Sequence, residues 1–299
     1  MHIKYSLKKI KNCLYIRFKF KFSFGWFLVY LFMLLLVAFT ALPLVYMVST
    51  AFKPIDELFI YPPQFLVRRP TLESFTDLFT ALDSSVVPFT RYVFNSLFTT
   101  IIIVSGTVII SSMGAFAMGK YNLPGTGILF NIIILALMFS PYTTQIPSYM
   151  IVNKLGMINT YWALIIPKLA VAYNFFLMKQ FSSQIPDALL EAARIEGATE
   201  WRIFWKIAMP ILQPAWATLI VFSFVNNWND YFTALIFTSS QVMKTLPLAL
   251  QTIAGGPGAI ARSGASAAAT FIVTLPTILI FTIMQAKVMK TMAYSGIKA

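Results

Sequence analysis

Few side chains in this 299-residue chain can do covalent chemistry. The single cysteine, Cys13, and the single histidine, His2, both lie in the first two dozen residues. That count excludes a disulfide within the chain, a Cys/His metal centre and an imidazole-assisted nucleophile deeper in the chain. The phosphate-cradling pattern G-x-x-x-x-G-K-[ST] is absent, so any nucleotide energy must be released on another chain. Two clusters carry non-covalent chemistry instead. Asn226, Asn229, Asp230 and Tyr231, with Asn227 and Trp228 between them, put amides and a carboxylate beside aromatic rings. Such groups hydrogen-bond sugar hydroxyls and stack on sugar C–H faces. They also bond one helix to another, and both readings stand. The second cluster is "DALLEAARIEGATEWRIFWKIAMP", Asp187 to Pro210, where charge crowds between two apolar stretches.

The elements that must position these clusters are membrane helices. Hydrophobic residues make up 58% of the chain and charged ones 11%, far from the roughly 25% charge of a soluble domain. The apolar residues fall in runs near the ~20 residues needed to cross a bilayer. Six spans are expected: Gly25–Ala51, Tyr92–Gly119, Gly125–Met150, Thr160–Lys179, Leu212–Phe237 and Ala267–Met289. The fold class is all-α, a polytopic membrane protein. Residues 1–24 form a basic tail, 25–51 the first span, 52–90 an outer connector, 91–290 the core with an inner loop at 180–211, and 291–299 a second tail.

The net charge of +13 could suggest nucleic acid, but its placement does not. Seven Lys and Arg precede the first span, where they flank the membrane and face anionic lipid headgroups. With both termini inside, fifteen basic residues lie on the inner side and seven on the outer, which follows the positive-inside rule. Lys168, within the fourth span, receives no role. Ser111, Ala115 and Gly119, and likewise Gly264/Ala268 and Ala265/Ala269, recur every fourth position, the spacing that lets helices approach closely.

In the inner loop, Ala188, Ala192 and Ile195 share a helical face, and Gly197 is expected to end that helix in a left-handed cap. Thr199 can cap a second helix whose Trp201, Phe204, Trp205 and Ala208 form an apolar stripe laid against the bundle. At these residues the chain resembles the permease subunits of bacterial ATP-binding-cassette importers. Their E-A-A, three residues, G, nine residues, I-x-L-P pattern reads here Glu191-Ala192-Ala193, Gly197, Ile207 and Pro210, with Met209 in place of leucine. The similarity runs from about Arg91 to the C-terminus. The stretches "NNWNDYFTALIF" and "MKTMAYSGIKA" resemble the carbohydrate-uptake branch, most closely the smaller permeases of maltose-type importers.

The resemblance implies a type I importer permease fold in the bacterial plasma membrane. It implies that Glu191, Ala192, Ala193, Glu196, Gly197, Ile207 and Pro210 dock the loop onto a cytoplasmic ATPase present in two copies. ATP and Mg would be used by that ATPase, and this chain would bind no cofactor and no metal. The other implied partners are a second, homologous permease forming a heterodimer, an extracellular solute-binding protein and membrane lipid, with no nucleic acid. The outer loop at Gly255, Gly256, Pro257 and Gly258 would reach the binding protein. In maltose-type pairs the sugar site lies mostly on the other permease. A permease for a non-sugar solute, a stand-alone secondary transporter and an intramembrane enzyme are the alternatives. The second would want coupling charges at the bilayer midplane, and the third lacks His and Cys in the spans.

Overall fold

Pro141 breaks one apolar run, while Pro43 and Pro276 sit inside helices that continue through them. The computed structural model describes residues 24–83, 87–121, 123–255 and 263–296, and every regular element among them is helical. Three helices are long and apolar enough to cross a bilayer alone: α1 (Phe24–Ala51), α4 (Phe89–Lys120) and the Ser263–Val288 part of α15 (Ser263–Gly296). The short helices α2 (Ile55–Leu58) and α3 (Glu73–Asp83) lie between α1 and α4.

The third, fourth and fifth expected spans are not continuous. The third is α5 (Thr126–Ala136) and α6 (Pro141–Lys154), which meet at 110°. Ser140, before Pro141, is extended as that position demands, so the first helix cannot run on. The fourth is α7 (Tyr161–Leu169) and α8 (Ala172–Ser182), bent by 41° where Ala170 and Val171 leave helical geometry. The fifth is α12 (Gln213–Trp228), which stops short of Phe237; the chain re-enters a helix only at α13 (Phe232–Phe237). A 3-10 turn (Gln241–Met243) and α14 (Leu246–Ala254) follow. If each bent pair counts once, the spans number up to six.

The chain divides into two compact units, Met1–Tyr46 and Met47–Ala299. Within the second, α4 is the central post, packed chiefly on α8 and α12. Small residues allow the α4–α8 contact. A methyl on Gly114 would sit 2.7 Å from the Phe175 ring, and one on Gly119 would sit 3.2 Å from Ser182 Oγ. Ser111 and Ala115 are buried on the same helix. Gly264 likewise lies against Ser74, and Ala265, Ala268 and Ala269 enter one core with Leu78, Tyr92 and Trp228.

Between residues 52 and 83, the first part of the expected outer connector is fixed by buried polar contacts. Glu57 is buried and accepts the Arg68 and Arg69 backbone N–H groups, each at 3.1 Å, with Arg69 Nε at 3.5 Å. The equally buried Lys53 donates to the Gln64 carbonyl, and its own carbonyl accepts Ser74 Oγ at 3.2 Å. A buried carboxylate without such partners would be costly. Phe52, Phe75 and Phe271 close the knot with mutual ring contacts of 5.2 to 6.0 Å.

Candidate functional site

The loop between α8 and α12 folds as an elbow. Helix α9 (Asp187–Ile195) starts after Pro186 and ends in a Schellman cap. Gly197 has φ +80°, its N–H donates to Arg194 O at 3.0 Å, and Ala198 N donates to Ala193 O at 2.9 Å. Thr199 Oγ1 then accepts the Arg202 N–H at 3.4 Å and opens α10 (Glu200–Ile203). A π turn (Phe204–Ala208) and α11 (Met209–Ile211) carry the chain to α12, which leaves at 77°.

One face of the elbow belongs to the core. Leu190, Ala193, Ile203, Phe204, Ala208 and Leu212 are buried together with Phe116 and Met178, and Ile207 packs against them half-buried. The other face of α9 is open: Ala188, Glu191, Ala192, Glu196 and Gly197 are exposed and Ile195 is 87% exposed. Pro210 is exposed as well. The motif residues therefore split, with Ala193 and Ile207 anchoring the helix while Glu191, Ala192 and Glu196 project. The expected aromatic stripe is corrected. Only Phe204 and Ala208 are buried, joined by Ile203, while Trp201 is 61% and Trp205 37% exposed. The covered face centres on Ile203, Phe204, Ile207 and Ala208, which leaves both tryptophans at or beyond its edge.

Two polar contacts, unforeseen in the sequence, tie the elbow to the foot of α4. Lys120 Nζ, buried, meets Asp187 Oδ1 at 2.8 Å and the Ile185 carbonyl. Tyr121 donates its hydroxyl to Glu200, which also takes Arg194 Nε at 2.8 Å, and Arg194 lies 5.7 Å over the Tyr121 ring. The Arg194 guanidinium, then the Tyr121 hydroxyl, hold the Glu200 carboxyl below the usual carboxylate range. Burial, then the neighbouring Glu200, pushes the Tyr121 phenol up.

At the far end of α12 the polar cluster divides. Asn226 is exposed. Asn229 Nδ2 bonds Val225 O at 2.8 Å and Thr277 Oγ1 at 3.3 Å, and Trp228 Nε1 bonds Val273 O at 2.9 Å. Asn229 and Tyr231 line a cavity of about 220 Å³ with Pro247, Gln251, Thr270 and Thr274. Asp230 turns away from it. Its carboxylate accepts the Thr233 N–H at 3.0 Å and hydroxyl, and pairs with Lys168 of α7. The residue without a role in the sequence reading is thus the partner of one singled out there.

The loop after α13 is tethered by amides that carried no sequence signal. Asn95, fully buried on α4, donates to Val242 O at 2.7 Å and Lys244 O at 2.8 Å and accepts Tyr161 OH at 2.7 Å. Ser96 Oγ accepts the Leu246 N–H at 2.7 Å. Asn159, at φ 63°, accepts the Ser239 and Ser240 N–H groups. Gly255 closes α14, bonding Gln251 O at 2.9 Å, while Gly256, Pro257 and Gly258 lie outside the described residues. Among the described residues, no three His, Cys, Asp or Glu side chains stand together as a metal site.

Comparison with known proteins agrees with this architecture. Residues 14–293 match the family described as "Binding-protein-dependent transport system inner membrane component". Protein LplC of Bacillus subtilis is 32% identical over 221 residues, covering 72% of this chain and 71% of that protein. The arabinooligosaccharides transport system permease protein AraQ of Halalkalibacterium halodurans is 31% identical over 224 residues, covering 73% of this chain and 77% of that one. A crystal structure of a bacterial ABC transporter involved in the import of the acidic polysaccharide alginate shares the fold, with a TM-score of 0.75 and 22% identity over 88% of this chain and 95% of that one. The chain therefore belongs to the inner membrane components of binding-protein-dependent transport systems: it is a transport subunit of the cell membrane, not an enzyme.

Proposed function

We propose that this chain forms half of the translocation path of an ATP-driven importer for an oligosaccharide, working beside a second, homologous permease. The elbow faces the cytoplasm and seats Glu191, Ala192 and Glu196 in one of two ATPase subunits, where ATP and Mg are used. Gly255 to Gly258 lie on the outer side, toward the solute-binding protein. The observation that carries this reading is the two-sided elbow: Leu190 and Ala193 are locked in the core while the opposite face of α9 is bare of contacts from this chain's core. Close docking needs small residues and a rigid mount, and the elbow has both.

Support for a carbohydrate comes from the relatives, which include AraQ and the polygalacturonan/rhamnogalacturonan transport system permease protein YtcP of Bacillus subtilis, 27% identical over 271 residues. A non-sugar solute is the second reading. It is favoured by the sn-glycerol-3-phosphate transport system permease protein UgpE of Yersinia enterocolitica, 30% identical over 225 residues. Asn229 and Tyr231, on the cavity wall, are the side chains offered to substrate; Asp230, paired with Lys168, is assigned to holding helices together.

Purifying a tagged chain from its native membrane tests the proposal. An ATPase and a second permease should co-elute, and ATP hydrolysis should rise when the cognate binding protein is added with its sugar. Solute uptake by the purified chain alone would overturn it, as would maleimide labelling of Ile195→Cys, on a Cys13→Ser background, from outside intact cells.

A further inference from the structure

We infer that Glu200, Arg194, Tyr121 and Lys120 are positioning residues that clamp the docking elbow to α4, so that α4 moves with the elbow as one body. This rests on the docking reading above. Covalently, the elbow joins only α8 and α12. Helix α4 lies 67 residues away in sequence at the Lys120–Asp187 pair and 79 away at Tyr121–Glu200. These contacts grip the elbow at separate points, the first turn of α9 and the first turn of α10. One contact would leave a pivot, whereas two fix orientation. Between them, Phe116 of α4 touches Tyr121 at 5.8 Å and Phe204 at 5.6 Å between ring centroids, filling the gap with stiff apolar surface.

Magnitudes say what the polar contacts are for. Arg194 and Glu200 are 39% and 51% exposed, and exposed pairs add little to folding. Their worth therefore lies in geometry: a forked guanidinium and a phenol aimed at one carboxylate admit a single arrangement. Lys120 differs, because its ammonium is buried with Asp187 and the Ile185 carbonyl as partners, so its loss would also unsettle the fold. Glu200 is thus the residue to vary. The docking face of α9, with Glu191 and Ala192, points elsewhere and is untouched by the change.

The test uses the complete complex in nanodiscs with Cys13→Ser as background. Spin labels go on Leu123→Cys, just past α4, and Arg202→Cys on α10, both exposed positions. The expected result is one narrow distance, the same with ADP and with ATP plus vanadate. Glu200→Gln should broaden that distance. It should also cut the stimulation of ATP hydrolysis by the binding protein about three- to tenfold, while leaving basal hydrolysis unchanged. Tyr121→Phe, which keeps the ring and removes only the hydroxyl that crosses to the elbow, should reproduce both effects, which a role confined to the Arg194–Glu200 pair would not produce. A distance that shifts with nucleotide in the parent protein would overturn the clamp, as would full stimulation in Glu200→Gln. Should no ATPase co-purify, the docking reading fails, and the label distance in the bare subunit, with and without Glu200→Gln, still decides whether the elbow is fixed to α4.

Discussion

Lys168 Nζ reaches the Asp230 carboxylate across two interrupted helices. Lys168 sits in the last turn of α7, just before the chain bends into α8, and Asp230 sits in the gap between α12 and α13. Helix breaks expose backbone groups, and Asp230 answers one by accepting the Thr233 N–H at 3.0 Å. The pair therefore staples two weak points to each other. Either side chain alone would be a poorly solvated charge, since each is only 20% exposed. Lys168→Ala and Asp230→Ala should each destabilise the protein by about 2 kcal/mol, and the double substitution by less than the sum. Thermal unfolding in detergent measures this; strictly additive losses would show that the two charges do not interact.

Gly197 is required by its backbone angle, not by crowding. A methyl placed there meets nothing within 4 Å, yet φ is +80°. Gly197→Val should cost more than 1 kcal/mol and lower co-purification of the ATPase, whereas Gly197→Asn, which tolerates the left-handed region, should cost about half as much. Equal loss in the two variants would point to blocked space after all.

Asn95 has three partners and no exposure. Replacing it with Leu strands two carbonyls and a phenol, at about 3 kcal/mol in total. Hydrogen exchange should rise across residues 238–246 and stay unchanged in α9, because Asn95 holds Val242, Lys244 and Tyr161 and touches no part of the elbow.

Glu200 sets a pH signature. Its folded-state pKa is depressed by Arg194 and then Tyr121. The contribution of the clamp is therefore complete above the ordinary carboxylate value of 4.5 and is lost as pH falls through the lower folded value. The Leu123–Arg202 label distance should hold constant through the neutral range and broaden only in acid.

Two glycines make a control pair. Gly114→Ala must push the Phe175 ring, 2.7 Å from the new methyl, and should lose about 1–3 kcal/mol by overpacking. Gly127→Ala, in the first turn of α5 with nothing within 4 Å, should be neutral or gain up to about 1 kcal/mol in helix propensity.

Local chemistry was legible in the residues themselves. Apolar runs of membrane length, a glycine that must be left-handed at 197, a threonine cap at 199 and small residues at every fourth position each follow from properties of one residue type at one spacing, so the apolar stretches, the elbow and the family could be read directly. Proline and glycine act on their own neighbours, which is why their effects show without a fold. The rest depended on which helices meet. Ala193 and Ala192 are identical in type and adjacent, yet one is buried and the other projects, because only the placement of Phe116 and Met178 determines which side is covered. The same holds for Lys168 with Asp230, Asn95 with the loop it tethers, and Tyr121 with Glu200. Each pair is separated by 62 residues or more, and no local periodicity records a partner that distant.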